Sequence, residues 1–309
     1  DKTTLIAGPA AAACGVPVAK MSGRGLGFTG GTIDKLGAIP GFQTAVEEQD
    51  FIDQVNEKGI AVIGQTGHIA PADKKIYALR DVTATVDNLS LITSSVMSKK
   101  LASGSDAILL DVKCGNGAFM QTKEEAEKLA RLMVKIGRAH GKKTMAVISD
   151  MNQPLGCAID NALEVEGIAM AKKKIADGSA LQKFRDMVES QGGDPRIIED
   201  TALLPQAEAE LAFLADRDGC IEEIYARKMG LASQHTGAGR ERKEDEIDLA
   251  AGILLYKKVG DFVQKGDVIC KIYGKNIKKL EKALEEIKNA VKISENPVNC
   301  NSLIHEVIQ

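Results

Sequence analysis

The feature that most constrains this chain is a glycine-rich segment at residues 20–35, which reads KMSGRGLGFTGGTIDK and follows an apolar run typical of a strand. Glycine lets the backbone approach an anion closely, so that main-chain N–H groups can converge on it. Ser22, Thr29 and Thr32 add hydroxyl donors, and Arg24 adds a fixed positive charge. The segment therefore predicts a phosphate-binding turn between a strand and a helix.

Two other interpretations of this segment stay open at this point. Gly25-x-Gly27-x-x-Gly30 formally satisfies the dinucleotide fingerprint, with Glu47, Glu48 or Asp50 about 20 residues further on. That interpretation predicts a nicotinamide-dependent oxidoreductase, but the extra hydroxyl donors suit a single phosphate better than a pyrophosphate held by backbone alone. The blandest alternative is a tight turn that binds nothing.

Short apolar runs alternate with helical segments over the first half of the chain. The predicted strands are 16–21, 60–64, 107–112 and 144–149, and the predicted helices are 1–15, 50–58, 87–103 and 123–140. This order predicts an α/β fold with a largely parallel, mixed sheet flanked by helices.

The pattern changes in the second half. A helical stretch at 164–190 ends at the QGGDP break, and β-like segments joined by Gly-Asp turns then dominate. These segments are 219–225, 249–256 and 267–273, with a final helix at about 276–290. We divide the chain into an α/β core at 1–207 and a C-terminal α+β domain at 208–309, in which residues 260–267 resemble a lipoyl- or biotinyl-type hairpin in shape only.

The composition excludes several classes of binding partner. A net charge of -3 gives no general attraction to nucleic acid or anionic membranes, and 4% aromatic residues without Trp disfavour a stacking platform for single strands. No apolar run approaches the roughly 18 residues of a membrane span, and no signal peptide is evident. Six scattered cysteines without a Cys-x-x-Cys pair favour reduced thiols, and four scattered histidines predict no zinc site. We expect a cytoplasmic protein with a small-molecule partner.

Residues 22–35 closely resemble the signature of the thymidine and pyrimidine nucleoside phosphorylase family, and the resemblance extends over nearly the whole chain. The further matching segments are GQT (64–66), APADK (70–74), YALRDVT (77–83), SVMSKK (95–100), DVK (111–113), GAFM (117–120), SDMNQPL (149–155), GAGR (237–240) and DEID (245–248). Their order resembles the bacterial pyrimidine-nucleoside branch, which accepts uridine as well as thymidine.

The resemblance implies reversible phosphorolysis, in which a pyrimidine nucleoside and inorganic phosphate give free base and pentose 1-phosphate. It implies that Arg80, Ser95 and Lys99 bind the pyrimidine and act in catalysis, and that Phe119 packs near the base. Ser95 and Lys99 are four residues apart and would share a helix face. Arg80 is expected to reach the site from a loop.

For phosphate, the resemblance implies Thr4, Ser22 and Thr32 as ligands. Phosphate is then a co-substrate, and no resident cofactor is expected. Relatives can hold a cation near the turn at Leu155 and Ala158, but Gly167 stands where they have an acidic ligand. We therefore predict no metal site.

The resemblance implies that family segments are missing at two places. Before Asp1, relatives have an all-helical domain followed by a Lys-x-Ser-Thr-Gly-Gly-Val-Gly loop. At residues 166–168, they have a further helical segment. The family dimerises through that helical domain, so we expect a monomer or altered oligomer, exposed apolar faces and impaired turnover. The alternative is a folded α/β domain that binds base or phosphate weakly without catalysis.

Overall fold

The protein, seen in a computed structural model, has the α/β architecture that its sequence predicts. The residues that the structure describes are 2–25, 30–64, 70–80, 83, 85, 88–165, 178–240, 245–298 and 302–309. Helices and strands alternate as far as residue 150, and antiparallel sheets follow. The predicted mixed sheet arrangement flanked by helices, with a smaller sheet domain after it, is confirmed.

The first pair of strands carries the glycine-rich turn. β1 (Val18–Ser22) pairs in parallel with β2 (Ile60–Gly64), with Met21 opposite Ile63. β2 is a continuous apolar run because both of its faces are covered, as is usual for a parallel strand. The elements around this pair are α1 (Lys2–Ala13), α2 (Thr32–Leu36) and α3 (Glu48–Lys58).

The second pair of strands lies beyond two helices, α4 (Pro71–Arg80) and α5 (Leu89–Ala102). β3 (Ala107–Cys114) and β4 (Lys143–Asp150) are parallel over their whole length. They are connected by α6 (Lys123–Ala139), the right length for a crossover between parallel strands.

Helix α6 shows why this unit forms. Thr122 and Glu125 make a reciprocal capping box at its N-terminus, which satisfies backbone donors that the first turn leaves unpaired. Its buried face, which includes Leu129 and Met133, packs on the buried side of the β3–β4 pair. The other face of these strands is open, and Leu109 is 70% exposed.

The elements that follow β4 are β5 (Ala158–Ile159), α7 (Ser179–Ser190), β6 (Ala209–Leu214), β7 (Gly219–Ile224), α8 (Ala226–Ser233), β8 (Gly252–Leu255), β9 (Phe262–Val263), β10 (Val268–Gly274), α9 (Ile277–Lys288), β11 (Val291–Ser294) and β12 (Ile304–Ile308). Two antiparallel sheets in this part of the described chain share one core, whereas α7 packs against α1 in another core. The strand orders are β5-β8-β10-β6 and β11-β7-β9.

Strands cross between the two halves in both directions. β5, from the first half, pairs with β8, and β12 returns to pair antiparallel with β4. The division at residue 208 stays a prediction. Among the helices in the described ranges, none combines the length and apolarity needed to span a membrane.

Candidate active site

Ser95 and Lys99 lie on one face of α5, as their spacing predicts. Lys99 Nζ donates a hydrogen bond to Ser95 Oγ at 2.8 Å and lies 2.7 Å from Asp73 Oδ2 in an ion pair. Asp73 is buried in the first turn of α4 and Lys99 is mostly buried. The hydroxyl and the ammonium therefore form one ordered donor group, with a carboxylate fixing its position.

Arg80 does not arrive from a loop, and that expectation is wrong. It is the last residue of α4, and its side chain is buried. Pro71 at the helix start and Asp73 in the first turn are the local signals that predict this helix. A helix restricts the position of a guanidinium group more than a loop does.

The guanidinium of Arg80 reaches α5. Its Nε donates to Thr85 O at 3.4 Å and its Nη1 to Leu91 O at 3.5 Å. Leu91 is one helical turn before Ser95, so Arg80 lies beside the same part of α5 that carries Ser95 and Lys99. The structure thus brings the Arg80 side chain, from α4, beside the part of α5 that carries the other two predicted base-binding residues.

A second group of polar residues surrounds the end of β1. Thr4, from α1, is buried and accepts a hydrogen bond from Lys20 Nζ. Burial lowers the pKa of Lys20 to about 8, against the opposing effect of the Asp111 carboxylate. Ser22, the last residue of β1, is two residues beyond Lys20 and so extends from the same face of the strand.

Lys100 connects the two groups. Its Nζ donates to Met21 O at 3.4 Å, and burial lowers its pKa to about 8, followed in size by the positive charges of Lys20 and Lys99. The Lys100 ammonium therefore lies close enough to those of Lys20 and Lys99 to be repelled by both. An anion bound among them would relieve that repulsion.

Sequence reasoning did not assign Lys20, Lys100 or Asp73 to the site. Lys20 and Asp73 lie within the quoted motifs, but only the tertiary fold brings them to Thr4 and Lys99. Lys100 reads as a solvated helix end because it follows another lysine. A buried pair of adjacent lysines cannot be told from an exposed pair by sequence.

The glycine-rich turn folds back on α2. Gly25 N donates to Asp34 Oδ2 at 2.7 Å, and Arg24 Nη1 donates to Asp34 Oδ1 at 3.0 Å. The positive charge of Arg24 is thus paired within the turn. Thr32 begins α2 and is fully buried, while Thr29 lies outside the described residues.

The remaining predicted residues are Phe119 and those of the turn near which relatives can hold a cation. Phe119 lies in the loop after β3 and is 38% exposed. At the turn that contains Leu155, Lys258 Nζ donates to the carbonyl oxygens of Pro154 and Gly156. Position 167 lies outside the described residues, and within the described ranges no three His, Cys, Asp or Glu side chains are grouped to hold a metal.

Two family patterns cover most of the chain. The family described as "Glycosyl transferase family, a/b domain" matches residues 1–198, and the family described as "Pyrimidine nucleoside phosphorylase C-terminal domain" matches residues 220–294. The α/β fold agrees with the first of these patterns. The two matches together define the chain as a glycosyltransferase-type enzyme.

Curated relatives make the assignment more specific. The chain is 47% identical to the pyrimidine-nucleoside phosphorylases of Geobacillus stearothermophilus and Staphylococcus haemolyticus, and 48% identical to that of Staphylococcus epidermidis. Each match covers 100% of this chain and 79% of the relative. The chain therefore belongs to the pyrimidine nucleoside phosphorylase family.

The same matches bear on the predicted internal gap. Each alignment runs over 345 positions, whereas the chain has 309 residues. The relatives thus contain residues inside the matched span that this chain lacks. Such a difference agrees with an internal segment missing from this sequence.

Proposed function

We propose that this chain catalyses the reversible phosphorolysis of pyrimidine nucleosides such as uridine and thymidine. The observation that carries the proposal is the convergence of the Ser95–Lys99 pair with Lys100 and the Lys20–Thr4 pair. This arrangement supports assigning the Ser95–Lys99 side to the pyrimidine and the Lys20–Thr4 side to phosphate.

The base side of the site eases departure of the pyrimidine. When the C1′–N1 bond breaks, the electron pair goes to the base, which becomes an anion. Lys99 and Arg80 donate to the pyrimidine carbonyl oxygens, where that charge accumulates, and Ser95 contacts the N3–C4 edge. Fixed donors aimed at developing charge are the largest source of rate enhancement in many enzymes.

The phosphate side holds the nucleophile. Thr4, Ser22, Thr32 and the Lys20 ammonium bind inorganic phosphate beneath C1′, and one phosphate oxygen attacks that carbon with inversion. Charge-assisted bonds of this type are each worth about 1.5–3 kcal/mol. Phosphate is a co-substrate in this scheme, and the chain needs no resident cofactor or metal.

The proposal also includes the expected role of Phe119 and the expected kind of partner. Phe119 packs near the base, and the partners are soluble small molecules in the cytoplasm rather than nucleic acid or membrane.

The deciding experiment measures phosphate-dependent release of uracil from uridine and thymine from thymidine by the purified chain. Lys99→Ala should reduce release at least about a hundredfold, since one such donor accounts for that much in other enzymes. Lys271→Ala is the matched control, because Lys271 pairs with Glu210 on β6 of the C-terminal sheet. Binding of base or phosphate without release would favour the non-catalytic binding domain instead.

A further inference from the structure

A buried charged cluster lies directly beneath the glycine-rich turn, outside the residues assigned to phosphate or base. We define this cluster as Lys35, Asp160, Glu164 and Ser233, all of which are buried. Lys35 Nζ lies 3.5 Å from Glu164 Oε2, and Ser233 Oγ donates to Asp160 Oδ2. The cluster joins α2 to residues 160–164 and to α8 of the second half.

The cluster abuts the main chain of Gly30. A Cβ added to Gly30 would collide with Asp160 Oδ1 and would lie 2.9 Å from Lys35 Nζ. On the neighbouring residue, a Cβ added to Gly31 would collide with the backbone of Arg24 and Gly25. The Gly30–Gly31 strip is therefore packed between residues 24–25 of the turn and the buried charges of the cluster.

The backbone at this point is held in an unusual conformation. Asp160 has φ 75° and Asn161 has φ 32°, in the left-handed region that residues other than glycine rarely adopt. Asp160 N donates to Glu164 Oε1 at 3.0 Å, and Asn161 Nδ2 donates to Ala238 O at 3.0 Å. Strain that the surroundings hold in place is concentrated at sites where geometry matters for function.

Stability alone does not account for such a cluster. Burial raises the pKa of Asp160, and the Lys35 ammonium opposes that effect. Replacing a buried ion pair by apolar side chains is often neutral or stabilising, so ion pairs are weak evidence for stability. What Asp160 and Lys35 do provide is a pair of buried side chains packed directly against Gly30.

We propose that Asp160 is a positioning residue for phosphate: together with Lys35 it fixes the Gly30–Gly31 strip and thereby the Thr32 end of the phosphate-binding turn. The proposal rests on the assignment of phosphate to this turn in the proposed function. It extends the site to a residue that touches neither substrate. The substrates whose binding depends on it are inorganic phosphate and, in the reverse direction, pentose 1-phosphate.

The test compares two isosteric variants, Asp160→Asn and Glu164→Gln. Asn tolerates the left-handed conformation and can still accept from Ser233, so the first variant replaces the carboxylate oxygen that faces Lys35 and Gly30 by an amide nitrogen. The second neutralises the other carboxylate near Lys35, but its amide oxygen can still accept from Asp160 N, so Asp160 stays against the turn. Thermal unfolding midpoints of both variants establish how far each is destabilised.

Phosphate affinity is measured directly by phosphorus NMR titration, and phosphate KM, nucleoside KM and kcat by base release. Asp160→Asn should weaken phosphate binding about tenfold, equivalent to about 1.4 kcal/mol, with nucleoside KM and kcat changed less than about twofold. Glu164→Gln should leave phosphate affinity near the wild-type value even if its unfolding midpoint falls as far.

Unchanged phosphate affinity in a folded Asp160→Asn protein would overturn this inference while leaving the proposed function intact. An equal loss of affinity in Glu164→Gln would also overturn it, because the effect would then follow stability. A wild-type chain that binds no phosphate would overturn the proposed function itself, and the positioning role with it.

Discussion

The Lys99 ammonium lies 2.7 Å from the Asp73 carboxylate, although the two residues belong to different helices. The same ammonium donates to Ser95 Oγ at 2.8 Å. One side chain thus connects the start of α4 to the middle of α5. The geometry of the proposed base-binding group is therefore set by the packing of the two helices as much as by the residues themselves.

Replacement of Asp73 by Asn should reduce nucleoside use while leaving phosphate binding intact. Without its carboxylate partner, Lys99 loses a charge-assisted bond that orients it. We expect kcat/KM for uridine to fall about tenfold, a loss of about 1.4 kcal/mol, with phosphate KM unchanged. Steady-state kinetics with each substrate varied in turn measures both. Asp267→Asn, which weakens a distant pair with Lys257, serves as control.

Phosphate affinity should fall as pH rises through about 8. Lys20 and Lys100 have pKa values of about 8, so both lose their positive charge near this pH in the unliganded protein. Bound phosphate favours the charged forms and therefore competes with deprotonation. Phosphate titrations between about pH 7 and about pH 9.5 measure the trend. A Lys100→Met variant should bind less phosphate at the lower pH and show a flatter profile; equal slopes would contradict the assignment.

The same lysines predict an unusual dependence of stability on pH. Their ordinary pKa is 10.5, and burial lowers it in the folded state. Below about pH 8 both states hold the proton, whereas between about 8 and 10.5 only the unfolded chain does, so stability rises with pH in this window. Across this window, the free energy of unfolding of the wild type should rise relative to that of Lys100→Met by up to about 3 kcal/mol. Urea unfolding at several pH values tests it, and a constant difference would count against a buried lysine.

Gly30 and Gly23 form a matched pair for testing the turn. A Cβ on Gly30 would collide with Asp160 Oδ1, whereas a Cβ on Gly23 would meet nothing within 4 Å. Gly30→Ala should therefore destabilise the protein by about 1–3 kcal/mol and weaken phosphate binding. Gly23→Ala should change stability by less than about 0.5 kcal/mol. Denaturant unfolding and phosphate titration of both variants provide the comparison; similar losses in the two would mean that the contact with Asp160 is unimportant.

The parts of the site that local patterns determine were predictable. Ser95 and Lys99 share a helix face because of their spacing, and the strand before Ser22 and the helix at Thr32 follow from apolar runs and glycines. Arg80 is the exception, because Pro71 and Asp73 are helix-start signals that contradict the expectation of a loop.

The contacts that join distant parts of the chain were not predictable. Lys35 meets Glu164, and Lys20 meets Thr4, only after strands and helices have packed. Burial of Lys100 has the same origin, since its sequence neighbours are equally compatible with a solvated helix end. No local periodicity encodes these pairs, because each depends on three-dimensional packing between elements.

The antiparallel pairing of β12 with β4 has a consequence for synthesis of the protein. Ala146 on β4 is opposite Ile308, so the outer edge of β4 has no partner strand until residue 308 has left the ribosome. At typical rates of about 5–20 residues per second, that interval is on the order of ten seconds. During it, the nascent chain presents an unpaired outer edge of β4, with Met145 and Val147 on one face of the strand. Chaperone binding to emerging chains should therefore be concentrated on this strand and end when β12 arrives.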